Sequence, residues 1–347
     1  MQKARSPFLR DLILLLVVLL WGVARPAAGG SLHRVSIGDL ALDSGGVLKN
    51  CTVAYRQFGK INSERSNIVI FPTWFGGTTG HISLVIGPGK LIDTTRYAVL
   101  ALAALGNGES STPTSVRDVM TGKFPAFTIG DMVRAQHLLL TRYLKITHVY
   151  AVVGGSMGGM QTFQWLVAYP EFMDKAVPYV GSPRLTPYDL YLLHLQKNMI
   201  ESEVRAHVPT DSIWGNIHLI QQLTVRTPHY VNAHTDPDDI DNQLKTFYAT
   251  PASTVPLAGF LAQLNAMLAF NIFREYDDDP LRAAARVKAK TLIIVSRSDH
   301  TVNPEPAIRF APLIHARLLV LDDDCGHLAI GCNMTRVAQT IAQFLDH

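Results

Sequence analysis

The feature that most constrains the fold is a glycine-rich turn, Gly154 to Gly158, placed between an apolar strand and a helix. An apolar run over residues 149–153 leads into the turn, and apolar residues at helical spacing follow it up to Tyr169-Pro170. This context fits a nucleophile elbow, in which an abrupt strand-to-helix turn raises a serine Oγ above the sheet edge. The sequence therefore predicts that Ser156 is a nucleophile. A glycine-rich turn with an incidental serine is the structural alternative.

Apolar strands alternate with helical patterns along most of the chain. Two antiparallel strands come first, roughly over 34–41 and 49–57. The sequence predicts further strands at Asn67 to Phe71, Tyr97 to Leu102, His148 to Val153, Lys175 to Val180, Thr291 to Val295 and Arg317 to Leu321, and helices over Ile129 to Tyr143, after Pro304 and over Thr335 to Leu345. This alternation predicts an α/β fold with a mostly parallel sheet that helices cover on both faces.

Residues 184–280 interrupt the alternation of strands and helices. They carry helical patterns and acidic stretches such as Asp236 to Asp241, and they contain no convincing buried strand. We interpret this segment as a helical lid over the carboxyl ends of the strands, where open α/β sheets bind ligands. Residues 30–183 and 281–347 would then form the core.

The first 29 residues have the pattern of an export signal. Arg5 and Arg10 precede an unbroken apolar run from Leu12 to Val23, and the small residues Ala27-Ala28-Gly29 follow. Twelve apolar residues are few for a membrane span. We therefore expect a cleaved signal peptide at 1–29, a secreted or periplasmic mature protein and no stable membrane insertion. An uncleaved membrane anchor is the alternative.

The charge of the chain lies mainly in this segment. Removing residues 1–29 lowers the formal net charge from +3 to about zero, and the clustered basic face of a nucleic-acid-binding protein is missing. The spacings typical of metal sites are missing too, and no nicotinamide or flavin fingerprint follows the first parallel strand. We expect no metal, no cofactor and no nucleic acid. The expected partner is a small-molecule acyl substrate, and a homodimer is possible.

The pairing of the cysteines and the structure around two histidines outside the elbow are further questions for the sequence. Cys51, Cys325 and Cys332 cannot all pair within one chain. An oxidising compartment permits a Cys325–Cys332 bridge, and buried thiols are the alternative. The polar cluster of His229, His234 and residues 236–239 is interpreted as a loop.

A serine hydroxyl is a poor nucleophile at neutral pH, so it needs an imidazole base and a carboxylate that orients the base. In α/β-hydrolases the chain order is serine, acid, histidine. Asp299 follows the strand Thr291 to Val295, and His327 lies in the loop after the strand Arg317 to Leu321. Both side chains therefore belong at carboxyl ends of strands. The sequence predicts Ser156, Asp299 and His327 as the catalytic residues.

Two alternatives to this triad remain open at the level of sequence. His300 is a rival base, although a histidine next to Asp299 in sequence cannot easily turn back onto that carboxylate. Asp322, Asp323 or Asp324 could orient His327 in place of Asp299.

Acyl transfer also requires hydrogen-bond donors for an oxyanion. We predict the backbone N–H of Met157, which follows the serine, and that of Trp74, in the loop after the third strand. Thr73 is the alternative to Trp74. A rigid aromatic turn that only packs is the structural alternative for this loop.

Two blocks of the sequence resemble the homoserine O-acetyltransferase family of α/β-hydrolase-fold enzymes. They are Phe127 to Gln136 and Gly154 to Gln161. The similarity runs from about Tyr55 to Tyr169, includes Gly87-Pro88-Gly89 and Ile92 to Tyr97, and resumes at Asp299 and His327. The resemblance implies a Ser-His-Asp triad on Ser156, His327 and Asp299. It also implies ping-pong transfer of an acyl group through an acyl-serine.

The chain departs from that family in ways that bear on the acceptor. Family acetyltransferases follow the catalytic histidine with an aspartate that holds the substrate amine, and Leu328 occupies that position here. Acyl-CoA is a cytosolic donor that an exported enzyme would not meet. The sequence therefore predicts an exported serine hydrolase that cleaves an ester or related acyl bond with water as acceptor. An O-acyltransferase of the homoserine O-acetyltransferase type is the alternative, and a non-catalytic binding protein on a hydrolase scaffold is the minor one.

Overall fold

Eight strands form one sheet in the computed structural model, which describes residues 30–249 and 254–347. The strands are β1 (His33–Ala41), β2 (Val47–Phe58), β3 (Ile68–Pro72), β4 (Ala98–Leu102), β5 (Val149–Gly155), β6 (Met173–Tyr179), β7 (Lys290–Ser296) and β8 (Arg317–Leu321). Their order is β1-β2-β4-β3-β5-β6-β7-β8. Strand β2 is antiparallel to β1 and β4, and the strands from β3 to β8 are parallel. The predicted mostly parallel sheet is confirmed.

The helices of the described residues cover the sheet or belong to the insertion between β6 and β7. They are α1 (Thr79–Ile82), α2 (Val116–Met120), α3 (Ile129–Leu138), α4 (Met157–Ala168), α5 (Pro187–Arg205), α6 (Thr210–Thr224), α7 (Pro228–His234), α8 (Ile240–Ala249), α9 (Leu257–Leu268), α10 (Pro280–Ala284), α11 (Glu305–Phe310), α12 (Ala329–Cys332) and α13 (Met334–Asp346). The helix predicted to reach Tyr143 is α-helical only to Leu138. Its last turn, Leu139–Tyr143, widens into a π-helix, where the N–H of Leu144 bonds to Leu139 O at 3.0 Å.

Both faces of the sheet are buried, which explains why the strands are apolar throughout. In β3, Ile68 and Ile70 pack into the hydrophobic cluster on one face, and Val69 and Phe71 pack into the cluster on the other. Successive side chains of a strand point to opposite faces, so a strand buried on both sides has no polar alternation.

The segment between β6 and β7 is helical as far as the structure describes it, from α5 to α10. Helix α9 brings Phe260 onto Phe75 in the loop after β3, with ring centroids 4.1 Å apart. The loop predicted around His229 is wrong, because α7 begins at Pro228 and the Thr227 hydroxyl caps it by accepting the N–H of Tyr230. The insertion thus contacts loops at the carboxyl edge of the sheet. Its function as a lid remains a prediction.

None of the helices within 30–249 and 254–347 is long and apolar enough to cross a membrane. The predicted signal peptide, residues 1–29, lies outside the described residues.

Glycines at the junction of β5 and α4 allow close approach of neighbouring groups. A Cβ at Gly154 would lie 2.3 Å from Gly158 O, and one at Gly155 would lie 2.0 Å from the ring of Tyr179. Atoms of real side chains do not approach that closely, so these positions require glycine. The Tyr179 ring cannot retreat, because that residue is only 5% exposed.

Replacing Gly155 should therefore destabilise the fold. We expect Gly155→Ala to lower the free energy of unfolding by at least about 2 kcal/mol, since added volume in a packed core forces strained side chains or backbone shifts. Gly331→Ala is the matched control, because a Cβ there meets nothing within 4 Å. Urea unfolding followed by circular dichroism measures both variants. Equal midpoints for the two variants would contradict the packing argument.

Candidate active site

Ser156 occupies the turn between β5 and α4 in a strained backbone conformation. Its φ is 55° and its ψ is −124°, and a positive φ is uncommon for a residue other than glycine. The N–H of Ser156 donates to Tyr179 O at 3.0 Å, and its C=O accepts the N–H of Met160 at 2.9 Å. These bonds hold the turn, as strained residues at functional sites require support from their surroundings.

The predicted histidine and aspartate lie beside this serine. His327 Nε2 is 3.0 Å from Ser156 Oγ, and His327 Nδ1 is 2.7 Å from Asp299 Oδ2. The other oxygen of Asp299 accepts the backbone N–H groups of Thr301 and Val302 at 2.8 and 2.9 Å. Because a carboxylate oxygen accepts, Nδ1 is the donor, and Nε2 is left to accept the serine proton. The structure brings the three predicted side chains into one hydrogen-bonded chain.

The rival residues lie elsewhere. Asp322 forms an ion pair with an arginine at the surface. Asp323 accepts the N–H of Cys325 and the side-chain amide of Asn333. Asp324 bonds to a histidine of α7. None of the three is hydrogen-bonded to His327.

His300, the other candidate base, does not take part either. It lies beside the ring of Tyr188, with ring centroids 6.5 Å apart. The Asp299 carboxylate bonds to His327 instead.

The loop that carries His327 is closed by a disulfide. Cys325 and Cys332 are bonded, with their Cα atoms 6.6 Å apart, so the bridge that the sequence left open is present. Arg226 Nη1, from the segment between α6 and α7, lies 3.4 and 3.3 Å from the two sulfurs. The insertion and the histidine loop therefore meet directly at this bridge.

Four further hydrogen bonds fasten the insertion to the same loop. The Thr227 hydroxyl and the Thr227 N–H donate to Asp324 O at 2.7 and 3.3 Å. His229 Nδ1 is 2.7 Å from Asp324 Oδ2, and the N–H of Leu328 donates to Val225 O at 3.3 Å. Sequence reasoning missed this role of His229 because its partner is 95 residues away.

The loop after β3 carries Trp74, the predicted oxyanion donor. The N–H of Thr73 already donates to Leu102 O at 3.0 Å, which removes Thr73 as the alternative donor. A Cβ at Gly158 would lie 2.6 Å from Pro72 O, so this loop and the first turn of α4 are in close contact. Met157 is the first residue of α4, where N–H groups have no acceptor within the helix. Trp74 and Met157 remain the predicted donors.

Buried amides from two other segments hold this loop. Gln263 of α9 accepts the N–H of Gly76 at 3.1 Å and donates to Leu105 O at 3.0 Å. Asn107 donates to Gly77 O at 3.2 Å. Sequence reasoning missed Gln263, although a glutamine in the mostly apolar α9 is a signal for a buried polar contact.

No group of three or more His, Cys, Asp or Glu side chains that could hold a metal ion occurs in the part of the chain that the structure describes.

Comparison with known proteins finds similarity to the α/β-hydrolase fold and, among individual proteins, to esterases and homoserine O-acetyltransferases. Residues 67–190 match the family described as the alpha/beta hydrolase fold. The chain is 36% identical to an ethyl acetate hydrolase of Pseudomonas veronii over 162 residues, 46% of this chain and 46% of that protein. It is 38% identical to a homoserine O-acetyltransferase of Methanosphaera stadtmanae over 179 residues, 47% of this chain and 36% of that protein.

The similarity to known proteins extends over more of the chain in structure than in sequence. An acetylester hydrolase from Corynebacterium glutamicum has a crystal structure that superposes with a TM-score of 0.82 at 25% identity, over 91% of this chain and 96% of that chain. The sequence matches, in contrast, span half or less of the length of the two curated relatives described above. The resemblance inferred from the two sequence blocks is confirmed, and so is the predicted fold.

Proposed function

We propose that this protein is a serine ester hydrolase of the α/β-hydrolase fold. The family match over residues 67–190 and the similarity to an ethyl acetate hydrolase and to a homoserine O-acetyltransferase support this proposal. The observation that carries this proposal is the hydrogen-bonded chain from Ser156 through His327 to Asp299. Nucleophile, base and orienting acid are each within hydrogen-bond reach of the next, which is the geometry that nucleophilic catalysis requires.

In the first half-reaction Ser156 Oγ attacks the carbonyl carbon of the ester, and His327 Nε2 takes the hydroxyl proton. The carbonyl π electrons move to oxygen, and the N–H groups of Trp74 and Met157 stabilise the resulting oxyanion. When the tetrahedral intermediate collapses, the bond to the alcohol breaks and His327 gives its proton to the departing oxygen. The products are an acyl-serine and a free alcohol. Asp299 holds the imidazole in the required tautomer.

The second half-reaction determines whether the protein is a hydrolase or a transferase. Water, deprotonated by His327, attacks the acyl carbon and forms a second tetrahedral intermediate. When this intermediate collapses, the bond to Ser156 Oγ breaks, His327 returns its proton to that oxygen, and the acid is released. A transferase must instead bind an acceptor hydroxyl at the same place. Leu328, next to His327, offers an amino-acid acceptor no negative charge for its ammonium group. This position favours water, whereas the similarity to homoserine O-acetyltransferases favours transfer and keeps it as the second candidate.

We also propose that the mature protein is exported after cleavage of residues 1–29. The basic and apolar pattern of those residues supports this proposal. So does the Cys325–Cys332 disulfide, because disulfides persist in oxidising compartments.

The first test concerns the three proposed catalytic residues. Ser156→Ala and His327→Ala should each lower kcat for a p-nitrophenyl ester by about 10⁴- to 10⁶-fold, and Asp299→Asn should lower it somewhat less. His300→Ala is the matched control and should retain activity. Fluorophosphonate labelling followed by mass spectrometry should locate the label on Ser156. Labelling of another serine in Ser156→Ala, or wild-type protein without any turnover, contradicts the proposal, and the latter result favours a binding protein.

The second test separates hydrolysis from transfer. With a p-nitrophenyl acylate, wild-type protein should release acid at a rate that homoserine hardly changes. Leu328→Asp should increase the fraction of acyl groups recovered as O-acylhomoserine, because it supplies a counter-charge to the ammonium. Leu328→Asn is the control of similar size without the charge. Strong acceleration of the wild-type protein by homoserine, with accumulation of O-acylhomoserine, would replace the hydrolase with the transferase.

The third test concerns export. Protein expressed with residues 1–29 in a bacterial host should be recovered outside the cytoplasm, with its amino terminus near Gly30 and with Cys325 and Cys332 oxidised. Peptide mass mapping measures both properties. An intact Met1 on protein from the cytoplasmic fraction would count against export.

A further inference from the structure

Beneath the elbow, a relay of buried polar side chains ends on the loop after β3. Trp165 Nε1 donates to Gln136 Oε1 at 3.2 Å, and Gln136 Nε2 donates to Gln161 Oε1 at 2.7 Å. Gln161 Nε2 then donates to Thr73 O at 3.0 Å and, at 3.3 Å, to Met157 O. All three side chains of the relay are at most 1% exposed.

The groups at the two ends of this relay fix which atom of each amide donates and which accepts. The indole of Trp165 can only donate, so the oxygen of Gln136 faces it. At the other end two carbonyl oxygens face Gln161, so its nitrogen must point toward them. A flipped Gln161 would place its oxygen against both carbonyls and take away the donors that Thr73 O and Gln161 Oε1 now have, which is unfavourable in a buried site. Every polar atom of the two amides is therefore used in one arrangement.

The end of the relay is the peptide group that joins Thr73 to Trp74. Peptide groups are planar, and in a trans peptide the C=O and N–H point in opposite directions. The donor that fixes Thr73 O therefore also fixes the direction of the Trp74 N–H. Thr73 is held on its other side as well, since its N–H donates to Leu102 O and its hydroxyl accepts the N–H of Ala104 at 3.0 Å.

We propose that Gln161 is a positioning residue for the oxyanion hole, and the inference rests on the function proposed above. It acts through the Thr73–Trp74 peptide and never touches the substrate. A hydrogen bond to the carbonyl both orients the peptide plane and polarises its N–H, because bonded groups in a chain strengthen one another. Gln136 and Trp165 in turn hold Gln161. The helix that begins at the nucleophile thus also aims a donor at the developing charge.

Gln161→Met tests this role, since methionine has a similar length and no donor. We expect kcat to fall about 10- to 100-fold with little change in KM, which is less than the ~10²- to 10³-fold loss when an oxyanion donor is removed outright. Gln164→Met is the matched control in the same helix, because Gln164 has no part in the relay and is also largely buried. Its kinetic constants should stay at the wild-type level.

A spectroscopic readout separates positioning from general damage. A trifluoromethyl ketone labelled with ¹³C at its carbonyl gives a hemiketal when Ser156 Oγ adds to that carbon, and the hemiketal oxygen occupies the oxyanion position. The pH at which this oxygen ionises, read from the ¹³C shift, reports donor strength directly. Gln161→Met should raise that pH by about one, the equivalent of a tenfold weaker stabilisation. Loss of activity with an unchanged ionisation pH would overturn the proposal, and so would wild-type values of both.

Gln136→Met carries the test if Gln161→Met fails to fold. It removes the donor to Gln161 Oε1 but leaves the bond to Thr73 O, so the ionisation pH should move in the same direction by less. An unchanged value in this variant overturns the proposal. Failure of the proposed function gives a different result. Either turnover would survive Ser156→Ala, or wild-type protein would form no hemiketal and show no turnover. Both outcomes remove the basis of the proposed function and of this inference together.

Discussion

The close packing of backbone around Ser156 is the constraint on which the site depends. The backbone of Ser156 has a φ of 55°, and close contacts on both sides hold it in that conformation. Gly154 packs on Gly158, and Gly155 packs on the ring of Tyr179. Any side chain at those glycines would push β5, β6 and α4 apart. The position of the serine side chain is therefore set by the backbone. His327 and Asp299 meet it from loops at the carboxyl edge of the sheet.

The insertion between β6 and β7 holds two loops of the candidate active site in place. Arg226 and Thr227 hold the histidine loop from one side, and Gln263 holds the loop after β3 from the other. Two of the loops proposed to do chemistry are thus fixed by residues outside the sheet and its covering helices. Preorganised groups of this kind need little rearrangement as charge develops, which is where much of an enzyme's rate enhancement arises.

Local patterns were sufficient to predict the sheet and to place Ser156, Asp299 and His327 at strand ends, because each residue follows an apolar run in sequence. The choice between Thr73 and Trp74 could not be made from sequence, since it depends on a bond from Thr73 to Leu102, a residue on another strand. The sequence also could not identify the groups to which Gln161 and Gln263 bond, even where a glutamine among apolar residues indicated a buried polar contact. Their partners lie 88 and 187 residues away, and no local periodicity encodes such a contact.

The anchoring of the insertion also limits how such a chain can diversify. A segment that only covered a pocket could be exchanged for an unrelated one, with new substrate preference as the result. Here the exchange would also remove Arg226 from the disulfide and Gln263 from Gly76. A chimera that carries a foreign insertion on this sheet must therefore retain those two attachment points. Without them it would keep the nucleophile but lose the contacts that hold the histidine loop and the loop after β3 in place.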